Sequence, residues 1–316
     1  MSNFFSFLYI PFGWLLHWIY EFLGSYGWSL ILFTVLVRLL MFPLSVSQQN
    51  GSAKQARLQP KIAKIRQRYA GNQVKMNEEM QKLYDRENYN MMSISGCLPL
   101  LIQFPIIIGL FGVIYRPLTY VLQIPEESVT ALTTAAQSIM EAAGTWTSRS
   151  VSFVEVSVLS MKDQVLATAG VSQEVANTIQ NFDFNFLGFP LGEVPDFKDF
   201  SYLWIMPVCS FLSSLLTGVY TFLRQRKLNP EMAKNPMMGC MSFFMPLFSL
   251  YLSFQFPVGI SIYWTMSNLI AFAQMLLLNY THAPEKVIAR QMIKEEIYRH
   301  SRENNVKQII KTRNGE

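Results

Sequence analysis

Residues 28–44 are apolar or small throughout, with one exception, Arg38. A helix of that length rises about 25 Å, most of the way across the hydrocarbon core of a bilayer. An arginine near the middle of such a helix carries a penalty of about 2.5–3.5 kcal/mol, so something must offset it. The side chain can face a bundle interior or a water-filled cavity, or it can snorkel to the interface. Arg38 lies five residues before Pro43, roughly 7–8 Å of helix rise, which is within snorkelling reach. Both readings stand on this stretch alone.

The rest of the chain favours a membrane setting. Only 15% of the 316 residues are charged and 51% are hydrophobic, a composition that excludes a disordered or highly solvated chain. Five segments are long and apolar enough to be read as spans: 24–44, 94–117, 202–223, 240–256 and 258–279. The expected fold is all-α: a polytopic membrane protein with five transmembrane helices, an N-terminal interfacial helix and a cytoplasmic two-helix hairpin. Residues 1–23 hold the aromatic-rich interfacial helix at 4–20. It is not read as a secretory signal, because no Lys or Arg precedes Arg38 and the basic n-region is missing.

Charge sets the expected orientation. Between the first two spans, residues 45–93 carry Lys54, Arg57, Lys61, Lys64, Arg66, Arg68, Lys75, Lys82 and Arg86. The tail at 280–316 carries Lys286, Arg290, Lys294, Arg299, Arg302, Lys307, Lys311 and Arg313, and the loop at 224–239 is basic as well. All three are cytoplasmic by the positive-inside rule. The loop at 118–201 has ten acids against Arg149, Lys162 and Lys198, so it is placed outside. The N-terminus is then out and the C-terminus in, with the protein in the cell membrane.

Several chemistries find no residues. Cys97, Cys209 and Cys240 fall inside the expected spans without CxxC spacing, and His17, His282 and His300 are scattered. No metal site, cofactor motif or catalytic arrangement can be assembled, and the chain is not expected to be an enzyme.

Along the chain, Pro43 is read as ending the first span and residues 45–52 as a short polar link. Leu58, Ile62, Ile65 and Tyr69, then a Gly71-Asn72 turn, then Met76, Met80 and Leu83, give a narrow apolar seam for an antiparallel hairpin with a basic exterior. A solvated charged loop held against anionic lipid is the other reading of the same residues. The second span carries Pro99, Pro105, Gly109 and Gly112 with a mid-helix Gln103, a candidate cavity residue. Two amphipathic helices are expected in the outer loop, at 126–143 and 151–180. On the fifth span Ser261, Thr265 and Asn268 recur at 4, 3 spacing and share a face with Trp264. No Asp or Glu occurs in any of the five spans, so Arg38 has no acidic partner inside the membrane.

Taken together, these stretches resemble the YidC/Oxa-type membrane protein insertases. The resemblance is carried by the arginine-bearing first helix, by Leu58-Gln59-Pro60 leading into the basic hairpin, by CLPLLIQFP at 97–105, and by FPVGISIYWTMSN with a later Gln274. It covers nearly all the spans and the hairpin, in the family's order, and is weak in the outer loop and tail. It is closest to the short Gram-positive form, without a large periplasmic domain or an additional N-terminal span, although the lipobox Cys of many such members has no counterpart near the N-terminus.

The resemblance implies five spans around a hydrophilic groove, open to cytosol and lipid and closed outside. Arg38, Gln103, Trp264 and Asn268 would line it. It also implies that the groove takes the hydrophilic segment of a nascent membrane protein part-way in, while the adjoining hydrophobic segment slides into lipid. Lys54, Arg57, Lys61, Lys64, Arg66 and Arg68 would form a docking surface on the hairpin. Arg299, Arg302, Lys307, Lys311 and Arg313 would meet the ribosome. A Sec translocon, the signal recognition particle receptor and membrane lipids are further expected partners. The rival reading is a small-solute transporter or anion pore using Arg38 as its binding charge.

Overall fold

The computed structural model describes residues 6–87, 98–147, 150–228 and 236–314. The chain is an all-helical membrane protein apart from one short two-stranded antiparallel ladder, in which Asn185 faces Pro190 and Phe186 faces Phe189. In chain order the helices are α1 (Ser6–Leu23), α2 (Tyr26–Leu40), α3 (Phe42–Arg68), α4 (Gln73–Arg86), α5 (Leu98–Tyr115), α6 (Pro117–Tyr120), α7 (Glu126–Ala142), α8 (Val154–Ser160), α9 (Lys162–Ala169) and α10 (Gln173–Asn181). After strands β1 (Asn185–Phe186) and β2 (Phe189–Pro190) come α11 (Ile205–Leu228), α12 (Pro236–Ser253), α13 (Val258–Thr281) and α14 (Pro284–Asn314). Among the described residues two helices, Tyr202–Lys227 and Val258–Thr281, are long and apolar enough to cross a membrane on their own. Helices α2, α5 and α12 have 15 to 18 residues, about 22–27 Å of rise.

The chain divides into two compact units. The first is drawn from Met1–Leu40, Leu100–Gln225 and Ala233–Phe272, the second from Met41–Pro99, Arg226–Met232 and Ala273–Glu316.

In the first unit the core runs from Leu16 and Ile19 on α1 through Leu30 and Phe33 on α2 and Leu110, Val113 and Ile114 on α5 to Leu132 on α7. Helix α1 therefore has two apolar faces. One is buried in this core, and the other leaves Phe7, Ile10, Trp14, Trp18 and Phe22 exposed at helical spacing. Two glycines of α5 make room for α1. A Cβ on Gly109 would lie 2.5 Å from the Phe12 ring and one on Gly112 would lie 2.3 Å from the Tyr9 ring.

The segment 118–201 folds onto the same core. Its first helix, α7, matches the expected 126–143 helix, but the single helix expected over 151–180 is replaced by a 3-10 turn and three short helices, α8 to α10. The breaks have physical causes. Gly170 takes the left-handed conformation at φ 61°, and Ser172 then caps α10 by accepting a hydrogen bond from the Val175 backbone N–H. The break at Met161 lets Leu159 and Val165 both be buried, although on one continuous helix six positions would turn them to different sides.

A buried carboxylate ties this segment to α6, the short helix that follows α5. Glu155 on α8 accepts from the Thr119 backbone N–H at 3.0 Å and from the Thr119 hydroxyl at 2.8 Å. Burial pushes its carboxyl pKa up, while the Thr119 bonds and the Arg116 charge pull the other way. A raised folded-state value means that the native state binds the proton more tightly. The group's stabilising contribution is then present in full below the ordinary glutamate value of about 4.3 and is lost as pH rises through the raised value. Thermal midpoints measured across that interval should fall with rising pH in the wild type and flatten in Glu155→Gln. Equal slopes in the two proteins would remove Glu155 as the source.

In the second unit, Leu58 and Ile62 of α3 are buried against Met80, Leu83 and Tyr84 of α4, and the Asn72 side chain caps α4 on the Lys75 N–H at 3.0 Å. The two-helix hairpin and its seam are therefore present. Residues 45–52, expected as a polar link, are instead helical and belong to α3. The helix break falls at Met41, and Pro43 sits at the start of the new helix, where its missing N–H costs nothing. The tail is also helical, as α14, which packs along α3. Gln49 donates to the Asn279 side chain at 3.2 Å and to the His282 carbonyl at 3.4 Å.

Candidate functional site

Two hydroxyls of helix α2 are satisfied by the carbonyl one turn back, whereas that of Tyr26 is buried without a hydrogen-bond partner among the described residues. Ser29 donates to the Ser25 carbonyl at 2.7 Å and Thr34 to the Leu30 carbonyl at 2.6 Å. Arg38 cannot be satisfied so simply, since its guanidinium carries five N–H donors and a full charge. It lies in the last turn of α2, half-buried, and its Nη2 donates to the Ser267 hydroxyl of α13 at 2.5 Å. Ser267 is 4% exposed.

Helix α13 is fixed at its start by the chain that follows β2. The Val258 and Gly259 N–H groups, which have no partner within the helix, donate to the Glu193 and Leu191 carbonyls at 2.8 and 2.9 Å. One turn before Ser267, Trp264 packs against Phe111 of α5 and Phe256, with ring centroids 5.9 and 5.8 Å apart, and Tyr115 joins through Phe256. Ser267 and Trp264, three residues apart, share a face of α13. Asn268 is turned about 100° further round and belongs to another seam. Its Nδ2 donates to the Ser213 hydroxyl of α11 at 3.3 Å, and Ser210 and Ser249 continue that seam toward α12 at 3.0 Å. The buried hydroxyls of Ser253 and Ser261 have no hydrogen-bond partner among the described residues.

Of the four groove residues expected from sequence, Arg38 and Trp264 thus come to one face of α13, and Asn268 faces α11. The side chain of Gln103 lies outside the described residues. Ser267, the residue Arg38 touches, was missed by the sequence reading. The available signal was its i+3 spacing from Trp264, which put it on the tryptophan's face. The site can recognise an anion: a planar fork of N–H donors, anchored at one nitrogen, in an apolar surround. Among the described residues no group of three or more His, Cys, Asp or Glu is placed to hold a metal ion.

On the hairpin, Lys61, Lys64, Arg66 and Arg68 are exposed, whereas Arg57 is half-buried. Glu87 accepts a hydrogen bond from Lys61 and has Arg57 4.0 Å away. The Lys54 side chain lies outside the described residues. On α14 Arg302 is exposed, and the side chains of Arg299, Lys307, Lys311 and Arg313 lie outside the described residues.

Comparison with known proteins fits this arrangement. The chain is 28% identical over 262 residues to a protein of Treponema denticola named Membrane protein insertase YidC, covering 82% of this chain and 35% of that one. It is 30% identical over 276 residues to the protein of the same name from Beijerinckia indica, covering 87% of this chain and 37% of the relative. The chain therefore spans little more than a third of the length of these curated relatives. The family model described as 60Kd inner membrane protein matches residues 18–286, a range that takes in Arg38, the hairpin, Trp264, Ser267 and Asn268. By that match this chain, a multi-pass membrane protein, belongs to the 60Kd inner membrane protein family, the YidC/Oxa group whose motifs it carries.

Proposed function

We propose that this chain is a membrane protein insertase. It takes the hydrophilic segment of a nascent membrane protein to Arg38 and lets the neighbouring hydrophobic segment pass into lipid. The observation that carries the reading is Arg38 itself, half-buried in an apolar helix, anchored by a neutral hydroxyl and without an Asp or Glu in any of the five expected spans. A permanent ion pair would occupy the charge, whereas a serine leaves it available to an acid on a passing chain. The topology proposed is five spans with the N-terminus outside, since the basic segments at 45–93 and 280–316 then lie in the cytoplasm.

The test is reconstitution of the purified chain in liposomes with a small single-span substrate. Insertion without any other protein supports the reading, and failure with substrates that are inserted by native membranes overturns it.

The exposed Lys61, Lys64, Arg66 and Arg68 support a docking role for the hairpin, with the ribosome, a Sec translocon or the signal recognition particle receptor as the partners met there or on the tail. Lipid headgroups would be met as well. The seam holding α4 to α3 is short, which suits an arm that moves. Replacing residues 54–84 by a Gly/Ser linker is expected to leave a folded, membrane-embedded protein that inserts substrates at least several-fold more slowly. Wild-type insertion by that variant would dismiss the docking role.

A further inference from the structure

We propose that Ser267 is the positioning residue of the Arg38 site, setting the direction of the guanidinium and so its preference for acidic segments. The proposal rests on the insertase reading above. Arginine brings about 2 kcal/mol of rotamer entropy to any site it serves, and a cation that samples many directions recognises a carboxylate poorly. Among the described residues the Ser267 hydroxyl is the one group that accepts a hydrogen bond from Arg38.

Ser267 is itself held. It is buried, it lies on a helix whose first turn is capped by the Leu191 and Glu193 carbonyls, and it stands one turn from Trp264, which is wedged between Phe111 and Phe256. The rigid partner thus anchors the flexible one at Nη2 and leaves the rest of the fork for an incoming carboxylate. Asn268, on the next position, is turned about 100° further round the helix and directs its amide, through Nδ2, to Ser213 of α11.

The experiment uses the full chain in liposomes and two single-span substrates that differ only in Asp and Glu versus Asn and Gln in the translocated segment. The readout is the ratio of acidic to neutral insertion rates. Ser267→Ala, which deletes one oxygen, is expected to lower that ratio roughly tenfold, the scale of one hydrogen bond to a charged group. Ser267→Thr, which keeps the hydroxyl, should restore it, and Arg38→Ala/Ser267→Ala should be no worse than Arg38→Ala alone.

A merely structural serine would slow both substrates alike and lower the thermal midpoint, and that outcome overturns the proposal. So does a wild-type ratio in Ser267→Ala when Arg38→Ala is impaired. A wild-type ratio in Arg38→Ala would instead overturn the reading of Arg38 beneath it.

Discussion

Arg38→Ala is expected to fold and embed as the wild type does and to fail on substrates whose translocated segment carries Asp or Glu. At 4 Å and an effective dielectric near 20 a pair of unit charges interacts by about 4 kcal/mol before desolvation. Desolvation offsets a large part of that, and a net 1–2 kcal/mol would still change entry by roughly five- to thirtyfold. The loss should therefore appear in the ratio of acidic to neutral insertion rates, measured on matched substrates. Arg38→Lys separates charge from geometry. It retains most of the ratio if a cation suffices and loses it if the planar multi-donor fork is required, and the Ser267 contact at Nη2 favours the second result. Neutralising the acids of a dependent substrate should reduce its need for Arg38. If Arg38→Ala inserts acidic substrates at the wild-type rate, the side chain serves only its own helix end, as the snorkelling reading has it.

What could be read from the sequence follows from how each feature is encoded. The basic hairpin and its seam were legible because Leu58, Ile62, Met80 and Leu83 recur at helical spacing in a charged surround, where an apolar stripe has one interpretation. The same rule loses force in apolar stretches. Helix α1 is hydrophobic on two faces, and only the three-dimensional packing tells Leu16 and Ile19, which are buried, from Trp14 and Trp18, which are exposed. Residues 45–52 look like a link in the sequence because Pro43 has the form of a helix stop, yet they are helical. A proline also suits the first turn of a helix, and the two uses look alike in sequence. Gly170 and Ser172 are signals of a break that the expectation of one helix over 151–180 passes over, whereas Met161 gives no local signal and its break is set by tertiary burial on either side. The neighbours of Arg38 were harder to read. Arg38 stood out by its cost, but Ser267 and Asn268 are adjacent, both small and polar, and which of them meets α2 depends on the rotation of α13 in the bundle.

Gly27→Ala is expected to be among the most destabilising single substitutions in the first unit, although alanine is the better helix former by about 1 kcal/mol. Gly27 lies in the first turn of α2, and an added Cβ would sit 2.1 Å from Cδ2, 2.2 Å from Cγ and 2.6 Å from Cβ of Phe186. The overlap includes the near end of that side chain, so a rotamer change cannot clear it and β1 itself must move. Phe186 is buried and meets the Trp28 ring edge-on at 5.3 Å, so lifting it exposes apolar surface worth about 1.5–3 kcal/mol. Leaving it in place instead costs about 1–3 kcal/mol of overpacking. Either route outweighs the helix-propensity gain, and the thermal midpoint should drop while cleavage of the 118–201 segment by added protease rises. Phe186→Gly in the same chain removes the three atoms nearest the new Cβ and should relieve most of the second substitution's cost, so the double variant is less destabilised than the sum of the singles. Gly71→Ala is the control, since a Cβ there meets nothing within 4 Å. An unchanged midpoint in Gly27→Ala would mean that β1 does not rest on α2 as described.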